Sequence, residues 1–484
     1  MNETASMLQE YTSVDPFLKQ QEKVKIIHCY NTDLNLAWTI EYVKASQRPS
    51  HTFDILDMSQ WNVCNETIIR FYLWNKFRMK IHSRSRYLTS RMKTLGIFVI
   101  HPKRMTFDAL SHSIRTFGKI YFRWSPNTTE QLSLSSALVR SVHSSLSNRF
   151  GTLHYRPLFH PIAVGRRILA FYYSYFVTRQ FLLREKTESG VVIPNGRLPV
   201  SAGAALAARE LGLPVRYLER GGSPGMLDVF SISPHSMEER REAVTRIWDI
   251  GQSIFPELSQ QISADYFHLR RKLDPYSGVS WQKDSSPDRT LGHLQKHSGK
   301  QVWCYFTSTE LEFAVHEEPG STNYFENQTL AVQELVSLIG HDEVVLVIRR
   351  HPQKKWRLLD KERYLWRSLR RNPKVIWIGP KDSINSYQLG MEADVVFHYN
   401  SSIGAELIFL GHRRVLTLGP TSWLPPKLSL GGQLDFQAIS ATETATHLEH
   451  AVKWAFYQVM AGSIFTEVEW FNGRGKFRRV SETT

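Results

Sequence analysis

The sequence predicts an α/β protein built as two successive halves, each with a parallel sheet, and three observations point there. Short β-rich runs alternate with helical patterns along most of the 484 residues, which is the signature of parallel strands joined by crossover helices. A turn-rich stretch at residues 274–300, with Asp-Pro, Ser-Gly and Ser-Ser-Pro-Asp, interrupts the alternation once and reads as a linker. The chain is too long for one ordinary core, so two domains are expected.

In the first half, β-rich runs occur at residues 23–30, 52–56, 95–100, 118–122, 191–193 and 215–218. An alanine-rich helical pattern at 202–211, closed by Gly212, lies between the last two. Residues 236–273 read as charged helix. In the second half, strands are expected at 301–306, 344–348, 375–378, 395–398 and 414–418. Helices are expected at 325–339, 356–370, 383–391, 403–410 and 442–460. The predicted organisation is therefore an acceptor domain at 1–255, a helical segment and linker at 256–300, a nucleotide-donor domain at 301–440, and a terminal helix and tail at 441–484. Both domains are Rossmann-like, with their parallel sheets facing a central cleft. Ligands of such sheets sit beyond the carboxyl ends of the strands, so the residues after each strand are the ones to interrogate.

Composition narrows the class. Hydrophobic residues make up 42% and charged residues 22%, as in a globular protein. The formal net charge of +15 favours an anionic partner. The basic residues are dispersed in short clusters, including Arg166-Arg167, Arg270-Arg271-Lys272 and Arg349-Arg350, which usually form solvated helix faces. No nucleic-acid-binding signature is present, so no nucleic acid is expected as partner. Cys29, Cys64 and Cys304 form no Cys-x-x-Cys pair and read as buried residues in a reducing compartment. The first residues are polar, so no signal peptide is expected. No apolar run approaches the ~20 residues of a membrane span. A cytoplasmic protein is therefore expected. The aromatic run at 168–177, beside Arg166 and Arg167, suits either a helix packed on a sheet or a peripheral contact at the inner membrane face.

Several strand ends carry candidate chemistry. Arg349-Arg350-His351-Pro352 follows the strand at 344–348. It offers an imidazole and guanidinium groups for a phosphate. Tyr399-Asn400-Ser401-Ser402-Ile403-Gly404-Ala405-Glu406 is a strand, small-residue turn and helix start. It reads as an anion site with hydroxyls and backbone N–H groups, or as an ordinary serine cap. Gly404 would allow close approach of a ligand. Thr307 and Ser308 follow the first strand of the second half and could bond phosphate or cap a helix. Glu219, before Arg220-Gly221-Gly222, places a carboxylate where a general base would serve. A structural pairing with arginine is the alternative. The chain has no Asp-x-Asp, no phosphate-binding P-loop and no Gly-x-Ser-x-Gly elbow, so neither a metal nor a cofactor is expected, and ATPases and common hydrolases are disfavoured.

Together these segments resemble the capsule-polysaccharide-biosynthesis glycosyltransferases, which include Kdo transferases, and the bacterial sialyltransferases of the GT-B fold. The resemblance is carried by IPNGRLPVSAGAALAARELGLPVRYLERGG, YFTSTELEFAV, FENQ, IRRHP, IGPKDSINSYQL and DVVFHYNSSIGAELIFLGHRRVLTLGPTSW, and covers about residues 190–425. It implies an inverting, metal-independent transfer of sugar from a nucleotide-sugar donor, CMP-linked in some members, to a glycan or lipid-linked acceptor. It also implies donor-phosphate contacts from His351, Ser401 and Ser402, beside which Gly404, Glu406, Arg349, Thr307 and Ser308 are further donor-side candidates. Glu219 would be the catalytic base, and Asn195, Arg197, Arg220 and Gly221 would lie on the acceptor side. The sialyltransferase pattern favours Asp where this chain has Arg220. A teichoic-acid-type glycerol- or ribitol-phosphate transferase is the alternative, with His101 or His235 as a catalytic histidine. A basic nucleic-acid or membrane-surface adaptor is the non-enzymatic alternative.

Overall fold

The computed structural model describes residues 23–28, 52–57, 98–100, 111, 115, 133–150, 160–185, 190–220, 226–230, 237–271, 299–308, 325, 327–339, 344–351, 367–369, 371–380, 382, 384–430, 434–441, 444–460, 464–465, 468–471 and 474–477. The fold is α/β, and the chain divides into two compact units. One comprises Met1–His235 with Ala461–Thr484, the other Ser236–Met460. The charged helices that follow residue 236 thus belong to the second unit. The expected strand at 118–122, His101 and His235 lie outside the described residues.

The described elements of the first unit are strands β1 (Lys23–His28), β2 (Thr52–Asp57) and β3 (Phe98–Ile100), helices α1 (Ser133–Phe150) and α2 (Pro161–Arg184), strand β4 (Val191–Pro194), helix α3 (Pro199–Glu210), and strands β5 (Val215–Arg220) and β6 (Met226–Phe230). Its sheet also takes a short C-terminal strand, Ile464–Phe465, in the order Ile464–Phe465, β6, β5, β4, β1, β2, β3. Strands β1 to β5 are parallel, while β6 and the C-terminal strand run antiparallel. The all-parallel sheet expected for this half is therefore a mixed one. Strand β6 returns antiparallel beside β5, which it follows closely in the chain.

Helix α2 carries the aromatic run for which the sequence allowed two readings, packing on a sheet or a membrane contact. Phe171 and Tyr173 are fully buried, and Tyr172 and Tyr175 nearly so. They pack with Leu138, Val142 and Leu146 of α1 and with α3 residues in two adjoining cores. Arg167 is also fully buried. Its Nε donates to Ser145 Oγ at 2.8 Å and its Nη1 to the Ala163 carbonyl at 2.8 Å. These groups face protein, as the alternative of a helix packed on a sheet requires. Helices α2 and α3 approach closely because Gly203 has no side chain: a Cβ there would lie 2.3 Å from the Phe171 carbonyl oxygen. No helix of the described residues is long and apolar enough to cross a membrane.

The second unit contains α4 (Met237–Ile254), α5 (Pro256–Arg271), β7 (Gln301–Phe306), α6 (Gln328–Leu338), β8 (Val344–Arg349), β9 (Val375–Ile378), α7 (Ser386–Glu392), β10 (Val395–His398), α8 (Ile403–Phe409), β11 (Val415–Thr417), α9 (Phe436–Ala441) and α10 (Leu448–Met460). Its sheet is wholly parallel, in the order β11, β10, β7, β8, β9. From β9 inward this is the doubly wound order 3-2-1-4-5, with its topological switch between β7 and β10. Strands β7, β8 and β10 are nearly continuous apolar runs and buried along their lengths, as sheets covered on both faces demand. Cys304, in the central strand β7, is fully buried and reduced.

Candidate functional site

The carboxyl edge of the second sheet gathers most of the expected donor residues. Strand β7 lies between β8 and β10, so His351 and Ser401 follow strands two positions apart, ~10 Å at ordinary strand spacing. The end of β7 ties them together. Thr307 donates its N–H to the Arg349 carbonyl at 3.0 Å, and its Oγ1 accepts the His351 N–H at 2.7 Å. Ser308 Oγ accepts the Asn400 N–H at 3.0 Å. Gln328, at the start of α6, brackets Ser308 with its amide: Oε1 accepts from Ser308 N–H and Nε2 donates to Ser308 O. Thr307 and Ser308 are buried. Their oxygens hold neighbouring backbone in place, although each hydroxyl keeps a hydrogen to donate.

Burial, reinforced by the Arg349 charge, pushes the His351 imidazole down to about 4. It is neutral at physiological pH and can give and accept hydrogen bonds but supplies no positive charge. Arg349 is the last residue of β8, not the first beyond it. Its guanidinium is committed to the loop after β9, donating to the carbonyls of Gly379 and Asp382. That loop is closed in turn by the Asp382 carboxylate, which accepts the Gly379 N–H. Arg349 therefore shapes the rim where a direct phosphate contact was expected. Arg350 lies over the Trp377 ring, 5.8 Å from its centroid.

The turn after β10 is built around an imidazole that the sequence reading passed over. His398 is fully buried, and its Nδ1 accepts the Ser401 N–H at 3.3 Å. Ser401 Oγ accepts from Ile403 N–H at 3.4 Å, and Ser401 O accepts from Gly404 N–H at 3.3 Å. Ser402 is the residue before α8, has helical backbone angles and makes no side-chain cap. Ser401 and Ser402 are half-buried. Gly404 has a different role from the one expected: a Cβ there would sit 2.1 Å from His398 Nε2, so the missing side chain admits a ring of the protein, not a ligand. Glu406 is likewise turned inward. It is buried, pairs with Arg270 of α5 at 3.0 Å, and accepts from the Tyr387 hydroxyl of α7 at 2.5 Å. The Arg270-Arg271 cluster is thus half structural, not a wholly solvated face. Arg270 is drawn down by burial but raised more strongly by the Glu406 charge, and its net direction is up.

The first sheet has its own switch between β1 and β4. After β4, Asn195 adopts φ +66° and Gly196 φ +75°. Asparagine tolerates that left-handed conformation better than most residues. The Asn195 side chain closes the turn, Oδ1 accepting from Arg197 N–H at 3.2 Å, while Nδ2 donates to Glu219 Oε2 at 2.6 Å. Glu219 is half-buried and lies inside β5, which extends through Arg220, not beyond its end. Its register partner on β6 is Asp228. Arg197 is buried. Gly221 lies outside the described residues, and of Arg220 only the backbone is described. Among the described residues no group of three or more His, Cys, Asp or Glu side chains is arranged to hold a metal ion.

No family model and no curated protein matches the chain. Solved structures align along its length. They include the S. aureus MnaA–UDP complex, at 12% identity over 92% of each chain with a TM-score of 0.23. The UDP-GlcNAc 2-epimerase of Methanocaldococcus jannaschii, in complex with UDP-GlcNAc and UDP, aligns at 14% identity over 93% of this chain and 96% of that one, TM-score 0.24. CalG4, the calicheamicin glycosyltransferase, aligns at 12% identity over 92% and 96%, TM-score 0.24. Likeness at this level carries no inference about activity, and the fold stands on its own strand order.

Proposed function

We propose that the protein is a glycosyltransferase that takes a sugar from a nucleotide-sugar donor and passes it to a glycan or lipid-linked acceptor. The observation that carries this reading is the convergence of Thr307, Ser308, His351, Asn400 and Ser401 at the switch point of the second sheet, where doubly wound sheets bind nucleotides. The sequence resemblance supports sugar transfer over phosphate-polyol transfer. In this reading the neutral His351 imidazole and the Ser401 and Ser402 hydroxyls hydrogen-bond the donor phosphate, and no metal bridges it. The acceptor oxygen attacks the anomeric carbon, the bond from that carbon to the phosphate oxygen breaks, and the nucleotide leaves with the electron pair. Glu219, whose Oε2 accepts from Asn195 Nδ2, is the group that takes the acceptor's proton in this reading.

Thermal unfolding with a panel of CMP-, CDP-, UDP- and GDP-linked sugars tests the reading. A donor at 100 times its Kd should stabilise the fold by about 2.7 kcal/mol. His351→Ala and Ser401→Ala should each weaken that effect by more than they lower the melting temperature of the ligand-free protein, since Thr307 and His398 still hold the backbone N–H of those residues. Unchanged donor affinity in both variants would remove the proposal.

A further inference from the structure

We infer that His398 is a positioning residue whose imidazole, as the neutral Nε2–H tautomer, sets the conformation of the Ser401–Ser402 turn. Its importance for activity rests on reading that turn as the donor contact; the geometry does not. His398 is the last residue of β10 and the register partner of Thr417 on β11. Because Nδ1 accepts the Ser401 N–H, the ring hydrogen resides on Nε2, which lies 3.0 Å from Thr417 Oγ1 and donates to it. One face of the ring stacks on Trp423, with centroids 5.9 Å apart and planes at 25°. The first turn of α8 lies against the ring at Gly404, where no side chain would fit. The ring therefore touches the neighbouring strand, the start of α8 and the backbone of the turn between them.

A residue that merely filled volume would need none of this. Burying an imidazole costs desolvation unless its nitrogens are bonded, and a leucine would fill the core without that cost. Here both nitrogens are used, one of them on the backbone of the turn that carries the hydroxyls. Burial, with the nearby His447, pushes His398 down to about 3, so the accepting lone pair persists at all ordinary pH. With the Ser401 N–H held, its Oγ is fixed where it accepts from Ile403 N–H, and its hydroxyl hydrogen remains to donate.

The tautomer is read directly in the wild-type chain by nitrogen-15 NMR of labelled histidines, with Thr417→Val used to assign the His398 signals. Hydrogen on Nε2 is expected; hydrogen on Nδ1 would overturn the inference. Two substitutions then separate positioning from filling. His398→Asn places an amide oxygen near the Nδ1 position, whereas His398→Gln places its amide near the Nε2 position. Hydrogen exchange at the Ser401 N–H should stay near wild type in the first and accelerate about tenfold in the second, the scale of one lost hydrogen bond. Equal exchange in both variants would mean that His398 only fills space. The same pair is titrated with CMP and UDP as probes. Affinity should be kept by His398→Asn and fall about tenfold in His398→Gln. If the exchange pattern holds but the wild type binds neither nucleotide and no sugar conjugate of either, it is the donor reading that fails, and the role of His398 in the turn stands.

Discussion

The two sheets share a strand order through their first five positions and carry opposite chemistry at their carboxyl edges. In the first, a carboxylate is presented: Glu219 is half-buried and held by a neutral amide. In the second, Glu406 is buried and spent on Arg270 and Tyr387, Arg349 is spent on two carbonyls, and neutral imidazoles and hydroxyls remain at the edge. Topology supplies the place where a ligand can bind, and the side chains decide what that place can do.

The sharpest way to break the comparison is to remove each carboxylate. Glu406→Gln leaves the half-buried Arg270 without its counter-charge in a buried setting and should destabilise the protein by about 3–5 kcal/mol, measured by urea unfolding. Replacing both partners, with Arg270→Met and Glu406→Leu, should recover much of that loss. A Glu406→Gln protein of normal stability with weakened nucleotide binding would instead place Glu406 on the ligand.

Glu219→Gln should behave the other way. Glutamine can still accept from Asn195, so stability should change little, while turnover should fall about 10²-fold or more, the scale of general-base removal. Normal turnover would move the base elsewhere, with Asp228, its cross-strand partner, as the next candidate. Unfolding would make Glu219 a structural group like Glu406.

The smallest effect is set by pH and belongs to the second edge. Above pH 6.5 the His351 and His398 imidazoles are neutral in folded and unfolded chains alike and contribute no pH dependence. As pH falls below 6.5, the unfolded chain takes up protons that the folded one refuses down to about 4 and about 3. Stability is therefore lost on acidification, at up to about 1.4 kcal/mol per pH unit for each imidazole. The urea midpoint should drop between pH 7 and 5.5, above the range where carboxylates titrate. A flat midpoint there would mean that these rings are not held neutral.

The second sheet was legible almost to the residue. Expected strands at 301–306, 375–378 and 395–398 coincide with β7, β9 and β10, because strands buried on both faces read as unbroken apolar runs. Elements that leave no such run escaped notice, including β6, which carries Asp228 amid apolar residues, and the serine-rich α1. At the carboxyl edges, the sequence placed the turns after the strands but not the direction of their side chains. Arg349 sits beside His351 in the chain, yet which carbonyls it reaches depends on a loop about 30 residues away. His398 looked like a strand residue because its polar partners, Ser401 and Thr417, come together only after the turn and the neighbouring strand have formed. Arg167 and Arg270 looked like surface charges for the same reason. Composition counts a charge, and packing determines whether it meets solvent.

The position of Cys304 gives the second sheet a built-in clock. The thiol sits on the middle strand with no exposed surface, and burial raises its pKa far above that of a free thiol, so the reactive thiolate is suppressed in the closed state. An alkylating reagent can reach it only when β7 parts from β8 or β10. The labelling rate of the peptide that carries Cys304 therefore counts openings of the very strands that hold the candidate site, on the protein as it is, with no dye or tag introduced.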